Sequence, residues 1–262
     1  MQIDQSRFTA RLARTEAEVA AAQRLRYRVF VEEMGASTSP ENAALRLERD
    51  RFDPWFDHLI LIDNAAGPAD PIDRVVGVYR LMRGEVARRG PGFYGATEYD
   101  LTRLLESPRR TVELGRSCVH PDYRGGLAMH LLWCALGAYV IRNRIEVMFG
   151  TASFPGADPE PLREPLAYLW HHHLAPPDLR VRALPGGFVE MNRMAPEAIV
   201  RPRAMQAIPA LIKAYIRLGG FVGDGAWRDT GFNTVDVMLV MDTKRMQARY
   251  RDYYSRAGTI EL

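Results

Sequence analysis

The stretch ELGRSCVHPDYRGG, residues 113–126, decides the fold. It predicts the end of a strand, then a short basic glycine turn that leads directly into a mostly apolar segment. A helix beginning there presents unpaired backbone N–H groups and a partial positive charge, which together bind phosphate. A strand that ends beside it leaves N–H and C=O groups for an extended ligand. This point therefore fits a phosphopantetheine arm, and a plain strand-to-helix turn is the alternative.

Alternating strand and helix patterns extend from this stretch in both directions. Residues 15–35 are predicted to form a helix, with Thr15 as its N-cap and Gly35 at its end. Other strands are predicted at 8–14, 58–63, 74–82, 111–119, 147–154 and near 234–241, and other helices at 127–144, 165–175 and near 205–218. We expect an α/β fold with mixed strand pairing, and a single domain over residues 1–262 because no linker interrupts the pattern.

Bulk composition limits the possible classes of protein. The 262 residues are 47% hydrophobic and 26% charged, and the net charge of +3 is too small to indicate nucleic-acid binding. Cys118 and Cys134 provide neither a disulfide framework nor a zinc spacing. The first residues lack a signal peptide's apolar core, and no apolar run is long enough to span a bilayer. We therefore expect a cytoplasmic protein, with contact at a membrane surface left open.

Arginines occur in local pairs along the chain. These are either solvated surface or a docking face for an acidic partner. The pairs are Arg88-Arg89, Arg109-Arg110, Arg142/Arg144 and Arg201/Arg203.

The strand, the turn VHPDYRGG and the helix after it resemble the acyl-donor site of the GNAT superfamily of N-acetyltransferases. That family usually has a more glycine-rich loop than RGGLAM (124–129). A loop with fewer glycines suits the single phosphodiester of acyl carrier protein better than the pyrophosphate of coenzyme A. The resemblance implies that the acyl donor binds at Val119, Arg124, Gly125, Gly126 and Ser153.

Further motifs narrow the resemblance. The series LRYRVFVEEMG (25–35), an acidic group at 48–53, VVGVYRL (75–81) and ELGRSCV is similar to the acyl-homoserine-lactone synthases. MFGTASF (148–154), YLWHHHLAP (168–176) and the tail over 211–237 resemble more closely the bacterial L-ornithine Nα-acyltransferases of ornithine-lipid synthesis.

This resemblance implies a fold and a reaction. The fold is a GNAT-like mixed sheet flanked by helices, with a core to about residue 155 and a family-specific C-terminal extension over 156–262. The reaction moves a 3-hydroxyacyl group from acyl carrier protein to the α-amine of L-ornithine, which gives lyso-ornithine lipid. The partners are then acyl carrier protein and L-ornithine, with no nucleic acid and no cofactor beyond the donor's thioester.

The residues themselves fit an amino acid acceptor with a distal ammonium. Arginine clamps a carboxylate because its planar fork bonds both oxygens, and the candidates are Arg26, Arg80 and Arg116. Carboxylates must meet the ammonium, and Glu48, Asp50 and Asp53 lie close together before a strand. A helix cap or a surface loop is the alternative for this acidic group. S-adenosylmethionine has the same charges, so these residues do not distinguish the two acceptors.

The amine must lose a proton, and Glu113 is the predicted general base because it lies on the strand that carries the thioester. Ser117 is predicted as a second catalytic residue that orients the reacting groups. Strict alternation puts Glu113 and Ser117 on one face and Arg116 on the other, unless a bulge intervenes. Cys118 is predicted to pack in the core.

Aromatic and histidine residues have two interpretations. Phe30, with Trp133, Phe149 and Phe154, is predicted to line an acyl tunnel, and plain core packing is the alternative. The triplet at 171–173 predicts no metal site, because adjacent helical side chains point about 100° apart.

Two rival functions remain at this level. One is another acyl transfer, by an acyl-homoserine-lactone synthase or an N-acyl amino acid synthase. The other is a non-catalytic acyl-binding or hemolysin-like protein.

Overall fold

The computed structural model describes residues 7–65, 74–125 and 127–245. Its strands are β1 (Phe8–Leu12), β2 (Asp57–Asp63), β3 (Val75–Arg83), β4 (Tyr99–Asp100), β5 (Thr111–Val119), β6 (Val147–Pro155), β7 (Arg182–Ala183), β8 (Phe188–Val189), β9 (Phe221–Val222), β10 (Ala226–Asp229) and β11 (Thr234–Asp242). Its α-helices are α1 (Glu16–Arg26), α2 (Pro40–Leu45), α3 (Gly84–Arg89), α4 (Thr102–Glu106), α5 (Leu127–Arg142), α6 (Arg163–His173), α7 (Arg201–Ala207) and α8 (Ala210–Arg217), and a π-helix spans Tyr27–Glu33.

The described residues group into two compact units. The first contains residues up to 82 together with 114–144, and the second contains 83–113 together with 145–245. Strand β5 supplies residues to both units, because the boundary falls after Glu113. The single-domain organisation, with a core to about 155 and a C-terminal part from 156, stays a prediction.

The first unit is a sheet with strand order β1-β2-β3-β5. The β1–β2 and β2–β3 pairs are antiparallel. Helix α1 packs against Ile60 and Ile62, and α5 packs on the face that carries Leu61. Because successive strand residues point to opposite faces, the two helices cover opposite sides of this sheet. A side chain at Gly77 would come within 2.9 Å of Leu132 Cδ1, so any larger residue here would force Leu132 of α5 to shift.

The second unit has strand order β5-β6-β11-β10-β8, with β9 paired to β11. Strands β5 and β6 are parallel, and β6 and β11 are antiparallel over the full length of β6. A separate two-stranded sheet joins β4 and β7. The predicted α/β class with mixed pairing is therefore confirmed.

The long N-terminal helix differs from its prediction. Thr15 does cap it, since its side chain accepts a hydrogen bond from Glu18 N at 3.2 Å. The α-helix ends at Arg26, however, and a π-helix continues the segment to Glu33, with Met34 N donating to Val29 O. Short π-helical segments frequently occur at functional sites. The irregular segment begins next to Arg26, a predicted acceptor residue.

The helix predicted near 205–218 is two helices. Pro209 has no backbone N–H to continue the ladder, and α7 ends before it while α8 begins after it. Within the described part of the chain, no helix has the length and apolar character that a bilayer span requires.

Candidate active site

The six charged residues predicted for the acceptor lie together in the first unit. Arg26 ends α1, Arg80 lies on β3 and Arg116 lies on β5. The carboxylates come from the loop before β2, where Glu48, Asp50 and Asp53 follow α2 within eight residues. We call these six residues the ion network.

Arg26 and Arg80 form the interior of the ion network. Arg26 Nε donates to Glu48 Oε2 at 2.5 Å, and its Nη1 donates to Asp53 Oδ1 at 2.7 Å. Arg80 Nη1 donates to Asp50 Oδ1 at 2.8 Å and to Asp53 Oδ1 at 2.9 Å. The guanidinium of Arg80 also lies over the Phe56 ring, 4.2 Å from its centroid. The loop is thereby fixed to α1 and β3.

Arg116 closes the ion network from β5. Its Nε donates to Glu48 Oε1 at 3.1 Å, and its Nη2 lies 3.4 Å from Asp50 Oδ2. The three guanidinium groups and three carboxylates balance in formal charge. Each charge of the set has a partner of opposite sign, so removing one partner would leave an uncompensated buried charge.

Exposure decides which members of the ion network a ligand reaches. The side chains of Arg26 and Arg80 are each 1% exposed, whereas those of Arg116 and Asp50 are 11% and 23% exposed. The most accessible carboxylate is therefore Asp50, beside the Arg116 guanidinium, and Glu48 next to them is 9% exposed. An amino acid that carries a carboxylate and an ammonium is the chemical complement of Arg116 and Asp50.

The arginines keep the network carboxylates ionised. Burial raises the pKa of Glu48, but Arg116 and Arg26 outweigh it and lower the pKa to about 2. Burial likewise opposes ionisation of Asp53, and Arg26 and Arg80 nevertheless hold its pKa well below its usual range. The pKa of Arg80 is lowered, first by burial and then by repulsion from Arg116 and Arg26. The carboxylates thus offset the mutual repulsion of the three guanidinium groups.

Arg116 has an unusual backbone conformation for a strand residue. Its φ is 47°, in the left-handed region that few non-glycine residues adopt. This conformation interrupts the simple alternation of side chains along β5. Three other non-glycine residues in the described part of the chain, Arg46, Arg144 and Asn233, share this conformation, but Arg116 is the one of the four that lies within a strand. The irregularity at Arg116 therefore frees its side chain from the strict alternation that would place it on the face opposite Glu113 and Ser117.

Glu113 is a buried carboxylate of the second unit. It accepts hydrogen bonds from Tyr94 N at 2.8 Å and from Gly95 N at 2.5 Å. A side chain at Gly95 would come within 2.9 Å of Glu113 Oε1, so this contact requires glycine. Both carboxylate oxygens of Glu113 thus accept a backbone hydrogen bond. Its catalytic role stays a prediction.

Two features of β5 bear on the predicted donor site. Its register with β6 runs from Thr111↔Val147 to Glu113↔Phe149. Further along, the Oγ of Ser117 is buried and has no hydrogen-bond partner among the described residues. A buried hydroxyl without a partner is costly, so Ser117 is suited to a ligand atom that completes it. Its orienting role also stays a prediction.

The turn after β5 contains most of the predicted donor residues. Arg124 Nε donates to Val119 O at 3.1 Å, and its two terminal nitrogens bond the Glu33 carboxylate, each at 2.6 Å. Gly125 has a φ of 124°, which only glycine adopts without strain. Gly126 lies outside the described residues. The turn is fixed to β2 because Tyr123 OH donates to Asp63 Oδ2 at 2.8 Å.

Ser153, Phe30 and Cys118 are further residues with a predicted role, and the donor-binding role of Ser153 stays a prediction. Ser153 is an exposed residue of β6 in the second unit, opposite Asp236 in the β6–β11 register. Phe30 packs against the hydrophobic cluster between α1 and the sheet, so its place in an acyl tunnel stays a prediction. Cys118 belongs to the same cluster, which confirms its predicted core position. Burial raises the pKa of this thiol to about 12.

One acidic group has no counterpart in the sequence predictions. Carboxylate oxygens of Glu98, Asp229 and Asp236 in the second unit lie within 4.8 Å of one another. Hard cations bind such oxygens, although acidic groups of this kind also occur without an ion. At least 130 residues separate Glu98 from the other two. No spacing motif connects these positions, so pattern reasoning had no signal for them.

Comparisons with known proteins agree with this architecture. Residues 25–134 match the family model described as an acetyltransferase (GNAT) domain. A solved CoA-dependent acyl-homoserine lactone synthase, 14% identical, has a TM-score of 0.51 and is matched over 97% of this chain and 90% of its own. Together they confirm the predicted GNAT-like fold.

Curated relatives are considerably closer in sequence. A Rhodobacter capsulatus protein named L-ornithine N(alpha)-acyltransferase is 54% identical over 249 residues, which cover 95% of each chain. A Brucella abortus protein with the same name is 46% identical, over 93% of this chain and 87% of its own.

Proposed function

Because the chain belongs to the L-ornithine N(alpha)-acyltransferase family, we propose that it transfers a 3-hydroxyacyl group from acyl carrier protein to the α-amine of L-ornithine. The product is lyso-ornithine lipid. One observation carries the choice of acceptor: four relatives with this name are 44–54% identical over at least 93% of the chain. The names of the relatives give the acceptor and not the donor, so acyl carrier protein is a separate part of the proposal.

The reaction is a direct acyl transfer. The neutral α-amine attacks the thioester carbonyl, and the tetrahedral intermediate then collapses with cleavage of the C–S bond. The amine proton goes to Glu113, directly or through one water, and Glu113 then gives it to the leaving pantetheine sulfur, so that a thiol departs and the carboxylate is regenerated. Backbone N–H groups of β5 beyond Glu113 stabilise the oxyanion, an effect often worth about 3–4 kcal/mol per donor. The reaction needs no covalent enzyme intermediate.

The acceptor binds at the exposed part of the ion network. Arg116 takes the α-carboxylate, which shares or replaces the contacts that this guanidinium makes with Glu48 and Asp50. Asp50 takes the distal ammonium. The exposure of these two side chains supports the assignment, since Arg26 and Arg80 are almost completely buried behind them. Arg26, Arg80, Glu48 and Asp53 are positioning residues that hold the two contacts in place.

The donor binds at the turn after β5. Arg124 and the backbone of Gly125 take the phosphodiester of the phosphopantetheine arm, whose amides pair with the end of β5. The exposed arginine pairs Arg88-Arg89 and Arg142/Arg144 are candidates for docking the acidic carrier. Docking by exposed charges is screened by salt, so the KM for the carrier-bound donor should rise with ionic strength.

A donor comparison tests the carrier part of this proposal. The purified protein is supplied with L-ornithine and the same 3-hydroxyacyl group on acyl carrier protein, on coenzyme A, or on pantetheine, which has neither phosphate nor carrier. We expect the highest kcat/KM for the carrier-bound donor, with salt weakening this preference and leaving pantetheine nearly unaffected. An equal or higher kcat/KM for the coenzyme A thioester would contradict the carrier assignment and leave the acceptor assignment intact.

A further inference from the structure

Arg124 is already engaged in the structure. Its two terminal nitrogens bond both oxygens of Glu33, and its Nε bonds the carbonyl oxygen of Val119 at the end of β5. Both edges on which a guanidinium makes paired hydrogen bonds are thus in use. A phosphate that takes the same fork must displace the Glu33 carboxylate.

The ion pair between Arg124 and Glu33 is exposed enough for a ligand to replace Glu33. The side chains of Arg124 and Glu33 are 44% and 40% exposed, and an ion pair exposed to this degree contributes little to stability. The hydrogen bond from Arg124 lowers the pKa of Glu33, so the carboxylate is charged at neutral pH. The Arg124 backbone does not depend on Glu33, because Tyr123 fixes the turn to Asp63. Loss of the pair therefore leaves the turn in place.

The preceding residue provides a matched comparison within the same π-helix. Glu32 also pairs with an exposed arginine, Arg46. This arginine lies at the end of α2 and not in the turn after β5. The two glutamates are neighbours of equal charge and similar exposure. They differ in which arginine they occupy.

We propose that Glu33 is an internal competitor for the phosphate-binding face of Arg124 and thereby sets the affinity for the acyl donor. The proposal rests on the proposed function, in which Arg124 binds the donor phosphate. A phosphopantetheine arm displaces Glu33 because its amides add contacts along β5. Inorganic phosphate lacks those contacts, so Glu33 keeps the site from filling with free anions.

The test compares Glu33→Gln with Glu32→Gln in the full chain. For Glu33→Gln we expect the Kd of 4′-phosphopantetheine, measured by calorimetry, to fall about two- to fivefold, the change expected when one exposed ion pair is lost. The inhibition constant of inorganic phosphate should fall by a similar factor, while the KM for ornithine stays the same. Glu32→Gln should change none of these values.

Adding Arg124→Gln makes the test a double-mutant cycle. In that background Glu33→Gln should have no effect on the Kd, because the two residues act through one contact. An unchanged or higher Kd for Glu33→Gln alone would overturn the inference and show that Glu33 either does not compete or positions Arg124. The calorimetric readout needs no turnover, so failure to acylate ornithine would instead count against the proposed function.

Discussion

Arg116 and Glu48 lie 68 residues apart in the chain, yet Arg116 Nε donates a hydrogen bond to Glu48 Oε1 at 3.1 Å. The contact joins β5 to the loop before β2 that carries Glu48, Asp50 and Asp53, which we call the acidic loop. It also orients the guanidinium of Arg116, a residue whose backbone is in the left-handed conformation. It therefore connects the part of β5 that lies in the first unit with the acidic residues assigned to the acceptor.

Replacing Arg116 by lysine should weaken acceptor binding. A lysine ammonium cannot bond Glu48 and Asp50 and also present a fork to a carboxylate. We expect the KM for ornithine to rise about 10- to 100-fold, the range for losing hydrogen bonds to a charged group. The KM for the donor should change little. Steady-state kinetics measure this change, with Arg201→Lys, at an exposed position on α7, as the control. A wild-type KM for ornithine in Arg116→Lys would contradict the assignment.

The two aspartates of the acidic loop should respond differently to removal of their charge. Asp53→Asn leaves Arg26 and Arg80 buried without sufficient negative charge, so the free energy of unfolding should fall by about 3–5 kcal/mol. Asp50 is partly exposed, so Asp50→Asn should remain folded and mainly raise the KM for ornithine. Urea denaturation of both variants, combined with kinetics for Asp50→Asn, distinguishes these effects. Equal stabilities would show that Asp53 does not anchor the network.

Stability should depend on Glu48 at low pH. The folded-state pKa of Glu48 is about 2, below the usual value near 4.5, so its ionised form stabilises the folded state. That contribution is complete above about pH 4.5 and is lost as the pH falls through 2. The wild-type free energy of unfolding should therefore fall more steeply over this window than that of Glu48→Gln. Parallel curves from denaturant titrations at several pH values would refute this role.

Glu113→Gln should separate catalysis from binding. Glutamine keeps the size of the side chain and can accept one backbone hydrogen bond, but it cannot take a proton from the amine. We expect kcat to fall by about 100-fold or more while the donor still binds. Glu106→Gln, an exposed residue of α4, serves as the control. A wild-type kcat for Glu113→Gln would show that another group acts as the base.

The local features of the fold could be predicted because they depend on local patterns. Alternation and turn residues predicted β2, β3, β5 and β6, and the N-cap at Thr15 follows from its own side chain and Glu18. The π-helix was not predictable, because an α-helical sequence pattern does not show where one extra residue is inserted. The same holds for the left-handed φ of Arg116, a non-glycine residue in a strand.

The sequence predicted which residues form the candidate site, but it did not predict their contacts or their burial. The acidic loop and three arginines were identified by charge type, and the structure brings all six together. Sequence could not show that Arg26 and Arg80 are buried while Arg116 and Asp50 remain accessible, because burial depends on how α1, β3 and the loop pack. Nor could it show that Arg124 is paired with Glu33, 91 residues away.

The most direct measurement is the identity of the acylated product. The purified protein should be supplied with 3-hydroxyacyl-acyl carrier protein and equal amounts of L-ornithine, carrying ¹⁵N only at its α-amine, and S-adenosylmethionine. Tandem mass spectrometry should show an acylornithine whose amide nitrogen is ¹⁵N. An acyl-homoserine lactone as the main product, or an amide at the unlabelled side-chain nitrogen, would contradict the account.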